Sequence, residues 1–114
     1  MDRIEPLLTN REFRQLIDTQ LDVTAFTAAV DTALAVYEQA RARRFAMKRQ
    51  LAEHDAQRPD TDSSEWRQVR GVIMQELGAC LKLLEQRRHE LAQAREALWE
   101  ARRTMLQQLP CPRL

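Results

Sequence analysis

Between Trp66 and Leu109 the chain repeats apolar residues in alternating steps of three and four. Trp66, Ile73, Leu77, Cys80, Leu84, Leu91, Ala94, Leu98, Ala101 and Met105 fall on one seam, interrupted only by Arg70, Arg87 and Gln108. This is the heptad signature of a helix built to pack along another helix. No proline lies between Pro59 and Pro110, so nothing forces a break. At 1.5 Å per residue such a helix runs roughly 65 Å, more than a small globule can surround. It needs a neighbour of nearly its own length.

The rest of the chain supplies one. Phe26, Val30, Ala33, Tyr37, Ala40, Met47 and Leu51 repeat by fours and threes, with Arg44 the one break, and predict a long helix over 25–54. Residues 54–64 are polar, contain Pro59 and are rich in cap and turn residues, which places the loop at 55–62. Asp62, three residues before Glu65, is the expected start of the last helix, over 63–109. A short loop makes the two helices antiparallel neighbours. Counting back from it sets Leu51 by Trp66, Ala40 by Leu77 and Gly78, Tyr37 by Cys80, and Phe26 by Leu91.

Upstream, Thr9 and Glu12 form a capping box. A short helix is expected over 10–20, presenting Phe13, Leu16, Ile17 and Gln20 on one face. Asp22 and Thr24 are capping candidates for the next helix, although Leu21-Asp22-Val23 can also be spanned without interruption. Ile4, Leu7 and Leu8 offer an apolar flap, and residues 110–114 read as a tail. The expected fold is therefore all-α and a single domain. It is a long antiparallel, coiled-coil-like hairpin with a short N-terminal helix packed at the far end, over Ala94, Leu98, Ala101 and Met105.

The composition excludes more functions than it suggests. With 114 residues, two glycines and 5 % aromatics the chain is neither collagen-like nor a Gly/Pro linker. The net charge of +1 gives no general pull toward nucleic acid or anionic membrane. Cys80 belongs to the seam and Cys111 to a Pro-Cys-Pro tail, so the two make no disulfide framework and fit a reducing compartment. No apolar run approaches the roughly 18 residues of a membrane span, and the first residues do not read as a signal segment. The cytoplasm is the expected location.

Several constellations could carry chemistry. Arg44 and Arg87 at seam positions would suit an anion pocket in an all-helical enzyme, but the expected pairing sets Arg44 by Ile73 and Arg87 by Val30. They are expected instead to reach solvent or Glu38, Glu90 or Asp31. Arg41, Arg43, Arg44, Lys48 and Arg49 resemble a nucleic-acid patch, yet they spread around a helix with only Phe45 among them. His54 and His89 have no metal-ligand neighbours at usable spacing, so no metal or cofactor is expected. Glu85, Glu90, Glu96 and Glu100 interleave with Arg88, Arg95, Arg102 and Arg103 as a solvated mixed-charge surface. Gly71 and Gly78, one heptad apart, would permit close helix approach opposite Ala40 and Ala42. No nucleophile–base pair or glycine-rich phosphate loop is present in the sequence.

What remains is apolar surface that a hairpin alone leaves uncovered. Val69, Val72, Leu81 and Leu83 lie beside the seam, and Trp99 lies beside Leu98. Phe13, Ile17, Val69, Leu81, Leu83, Leu98, Trp99 and Met105 are the expected partner-binding residues, met by a second copy or another protein. The sequence thus reads as a non-enzymatic helical interaction protein. The alternatives are a coiled-coil regulator associated with nucleic acid and a small all-helical enzyme.

The segment Gln75–Leu109, with its core LKLLEQRRHELAQAREALWEARRTML, resembles the last helix of small flagellar and type III secretion proteins. These are export chaperones and the coiled-coil stalk proteins of the export ATPase. The resemblance implies a cytoplasmic binding protein for an export substrate or the export ATPase, acting as chaperone or stalk. The aromatic pattern that precedes the second helix in those chaperones is not present, and no individual functional residue transfers.

Overall fold

A computed structural model describes residues 9–109. The apolar flap Ile4, Leu7 and Leu8 and the tail with Cys111 lie outside the described residues. Helix α1 spans Asn10–Ala56 and α2 spans Ser64–Gln108, and no strand occurs among the described residues. The all-α antiparallel hairpin is as expected.

Its first arm is not. The segments 10–20 and 25–54 are one helix of 47 residues, with no separate N-terminal helix folded over the far end. The physical reason is that nothing stops it: no glycine or proline occurs from Asn10 to Ala56. Thr24, which could have capped a second helix, bonds back into this one, as Thr19 and Thr27 on either side of it do. The Thr19, Thr24 and Thr27 hydroxyls donate to the carbonyls of Gln15, Gln20 and Val23, each one turn back. The capping box stands at the true start, where Glu12 N–H donates to Thr9 Oγ1 at 3.1 Å and Thr9 N–H to Glu12 Oε2 at 3.3 Å. Because the helix is continuous, so is its heptad. The seam upstream of Phe26 runs through Val23, Thr19 and Leu16, which are buried or half-buried, while Phe13 and Ile17 point outward.

The start of α2 also differs by one residue. Ser63, not Asp62, is its cap, with Ser63 Oγ accepting from Trp66 N–H at 3.2 Å. Asp62 instead pairs with Arg67 at 2.8 Å. Arg67 N–H donates to the Ser63 carbonyl.

The connection 57–63 is held by a clasp. The His54 and Trp66 rings stack with centroids 4.8 Å apart. Trp66 Nε1–H donates to the His54 carbonyl at 3.2 Å, and His54 Nε2 lies 3.0 Å from the Trp66 carbonyl. The last carbonyls of a helix lack partners within it; here His54 and Asp55 receive Gln57 N–H and Arg58 N–H as well. The Arg70–Asp55 ion pair, 2.9 Å, ties the two helices just beyond. This clasp sets the register at His54–Trp66, three residues later on α1 than the pairing of Leu51 with Trp66. Counting fourteen residues from each brings Ala40 level with Cys80, where Tyr37 was expected.

The chain divides into two compact units. In one, residues 33–91, Met47, Ile73, Leu77 and Cys80 form the buried cluster, with Leu51 packed against it. In the other, described over 9–32 and 92–109, Thr19, Leu98 and Ala101 are buried. No described side chain is buried completely, as befits a seam one layer thick. The two glycines do not serve close approach within the chain, since a Cβ at Gly71 or Gly78 would meet nothing within 4 Å. Each therefore costs helix stability without a packing return. Gly71→Ala and Gly78→Ala are each expected to stabilise dilute protein by about 1 kcal/mol, read from urea unfolding monitored by circular dichroism. Destabilisation by either would show an intimate contact that the open space denies.

Candidate partner-binding surface

A heptad fixes more than a seam. With the seam residues at positions a and d, the residues that follow them, b and e, lie about 100° round each helix. In an antiparallel pair the e positions of both helices share one side, and the grooves show it. Asp55 and Arg67, both at e, line one groove with Arg70 and Trp66 in the hairpin unit. Thr27, Arg95 and Arg102, also at e, line another with Leu98 and Trp99 in the second unit.

Exposed apolar residues concentrate on this b/e flank. In the hairpin unit they are Phe45, Met74 and Leu81, with Phe45 70 % exposed; in the other unit they are Phe13, Ile17, Trp99, Leu106 and Leu109. Gly71 and Gly78 are at b as well. The opposite flank, at c and g, carries Val69 and Val72 among polar and acidic residues. Of the exposed large apolar residues among those described, only Leu21 and Phe26 fall on neither flank.

The eight residues expected to bind a partner therefore separate. Phe13, Ile17, Leu81 and Trp99 are exposed on the b/e flank. Val69 is exposed and Leu83 half-buried on the opposite flank. Leu98, only 7 % exposed, is core, and Met105 is a half-buried seam residue. Neither of these two is free to dock, because a seam position faces the other helix by construction. Phe45, Met74, Leu106 and Leu109 were missed. The signal that finds them is the heptad itself, read one residue on from the seam.

Charges surround the apolar residues. Phe45 sits in a groove of about 520 Å³ with Glu38, Arg41, Ala42, Arg44 and Lys48, all from α1. Arg44 makes no ion pair among the described residues, and its Nε is buried without a hydrogen-bond partner. Arg87 reaches Glu90 at 2.9 Å, one of the partners expected for it, and that hydrogen bond holds the Glu90 carboxyl below the usual carboxylate range. The groove that holds Arg44 does not include Arg87, so the two do not meet in it as an enzyme's anion site would require. Nor is the basic run a single patch. Arg41, Arg44 and Lys48 share the groove, whereas Arg43 is not among its lining residues and Arg49 pairs with Glu53. On the second unit Arg103 lies 5.1 Å over the Trp99 ring and bonds Glu100 at 3.2 Å, leaving Trp99 58 % exposed. No group of His, Cys, Asp and Glu is placed to hold a metal among the described residues, and no described helix is long and apolar enough to cross a membrane.

Compared with protein-family models, curated proteins and solved structures, the chain matches none.

Proposed function

We propose that the chain is a non-enzymatic helical interaction protein that binds a protein partner through the b/e flank of its hairpin. One observation carries this reading: large apolar residues are exposed on both helices at the same two heptad positions. A solvated helix places charges there, because isolated exposed leucines, phenylalanines and methionines gain nothing from water.

The resemblance of Gln75–Leu109 to flagellar and type III secretion helices narrows the proposal to an export chaperone or stalk component. Its partner would then be an export substrate or the export ATPase, and its place of work the cytoplasm. The grouping of Arg41, Arg44 and Lys48 about Phe45 gives a nucleic-acid role less support, since Glu38 stands in the same groove.

A photo-crosslinking amino acid installed in cells at Phe45, Leu81 or Trp99 tests the reading. Protein adducts are expected at all three, with few at Gln93, which is exposed at a c position. Adducts at Gln93 equal to those at Leu81, or none anywhere, would overturn it.

A further inference from the structure

We infer that the b/e flank of the hairpin unit, residues 33–91, docks a second copy of this chain, its loop at the opposite end, to form a four-helix bundle. The inference rests on the interaction reading above and names the partner. The flank lies about a right angle from the seam, which is the corner geometry that stacks one helical hairpin on another. What selects a second copy is that the flank is complementary to itself.

A two-fold axis at the height of Arg43 on α1 and Glu76 on α2 lays each helix antiparallel on its own copy. The two heights agree: Arg43 is eleven residues before His54, and Glu76 is ten residues after Trp66. On α2 the axis then sets Leu81 of one copy over Gly71 of the other, and Met74 over Gly78. The two large apolar side chains that α2 exposes on this flank of the hairpin unit, Met74 and Leu81, meet the two positions where a Cβ is missing and nothing fills the space. Here the glycines find the close approach they lack within the chain.

On α1 the same axis sets Glu38 over Lys48 and Arg41 over the exposed Phe45, an ion pair and a cation–π contact. At the edges Arg67 of α2 comes over Glu85, and Asp31 of α1 comes over Asp55, whose carboxylate Arg70 already holds. Symmetry makes each contact twice. Placing the loops at the same end would instead lay α1 on α2; the same counting then sets Phe45 over Met74 and Asp31 over Arg88, but it also sets Glu38 over Leu81 and Glu85 over Leu34, and it turns Lys48 and Arg41 onto the two glycines instead of the apolar side chains that fit them. The overlap runs over 30–56 and 64–88, nearly coincident with the hairpin unit. An overlap of about 40 Å by 20 Å covers ~800 Å² per copy, the standard size of a stable protein interface.

Sedimentation velocity on the full chain at micromolar concentrations tests this, with a mass twice 13.4 kDa expected. Glu38→Lys sets lysine against Lys48, and Lys48→Glu sets glutamate against Glu38. Either alone should weaken dimerisation roughly tenfold, because symmetry counts each change twice. Combined in one chain they should restore the parent affinity, which neither a same-end dimer nor an unrelated fold defect would produce. Gly78→Gln, filling the space left for Met74, should abolish the dimer while far-ultraviolet circular dichroism stays unchanged. A chain that stays monomeric at the highest concentration, a double variant no better than the singles, or a Gly78→Gln variant that still dimerises would each overturn the inference. Flank crosslinks running to a different protein, from a chain that is monomeric when pure, would sink the homodimer and leave the interaction reading standing. Absence of both would end both.

Discussion

Leu98→Asp is expected to unpair the helices over 10–32 and 92–108, at a cost of about 4 kcal/mol or more. Leu98 is buried in the seam of its unit, next to Thr27 and Val30 in the adjoining groove. Truncating a buried leucine alone costs about 2–5 kcal/mol, and an uncompensated carboxylate adds its desolvation. Arg95 and Arg102, one turn to either side on α2, line the same groove, but pairs at that spacing contribute only about 0.2–0.5 kcal/mol each, too little to offset the loss. Because that unit has few other buried residues, its share of a total stability of ~5–15 kcal/mol is exhausted by one such change. The hairpin unit has its own cluster of Met47, Ile73, Leu77 and Cys80. Amide hydrogen exchange should therefore rise sharply over 10–32 and 92–108 and change little over 40–84. Leu98→Met, which conserves volume, should cost less than about 1.5 kcal/mol. Unchanged protection in Leu98→Asp would mean that the seam does not close there.

Much of this architecture was legible because a heptad is a geometric statement. The thirteen positions read from Trp66 to Gln108 are all buried or half-buried, including the three polar ones. The capping box was legible for the same kind of reason, since Thr9 and Glu12 satisfy each other at fixed spacing. The junction at Leu21-Asp22-Val23 was not. Asp and Thr signal a cap only when the backbone stops, and a threonine that bonds the carbonyl one turn back is equally at home inside a helix. A stop read there puts Phe13 and Ile17 on a docking face, when the continuous heptad assigns it to Leu16, Thr19 and Val23. The candidate surface carries a related ambiguity. Val69, Leu81 and Leu83 all lie beside the seam, although e and g are on opposite sides of it. Their heptad positions part them, and the grooves at Asp55–Arg67 and Thr27–Arg95 show the e positions of both helices together on one side. The clasp could not be read at all, because its partners, His54 and Trp66, are joined through loop geometry that no periodicity encodes.

That clasp should carry the largest effect of any side chain near the loop. Trp66 contributes three things at once: the stack on His54, an indole N–H to the His54 carbonyl, and a ring under the Arg58 guanidinium at 5.5 Å. Trp66→Phe keeps a ring on His54 and deletes the donor. The His54 carbonyl still receives Gln57 N–H, so the cost should stay near 1 kcal/mol. Trp66→Ala removes all three, and about 3 kcal/mol is expected, the lower end for a large aromatic because the ring is only half-buried. His54→Ala with Trp66→Ala in a double-mutant cycle should show coupling of about 0.5–1.5 kcal/mol, the size of a stacked aromatic pair beyond its area. Urea unfolding of the four proteins reads all of this. The sign of the coupling matters more than its size: a stack that fixes the register must make the second substitution cheaper than the first. Strict additivity would mean that His54 and Trp66 merely adjoin, and that the Asp55–Arg70 pair and the seam alone hold the two helices in step.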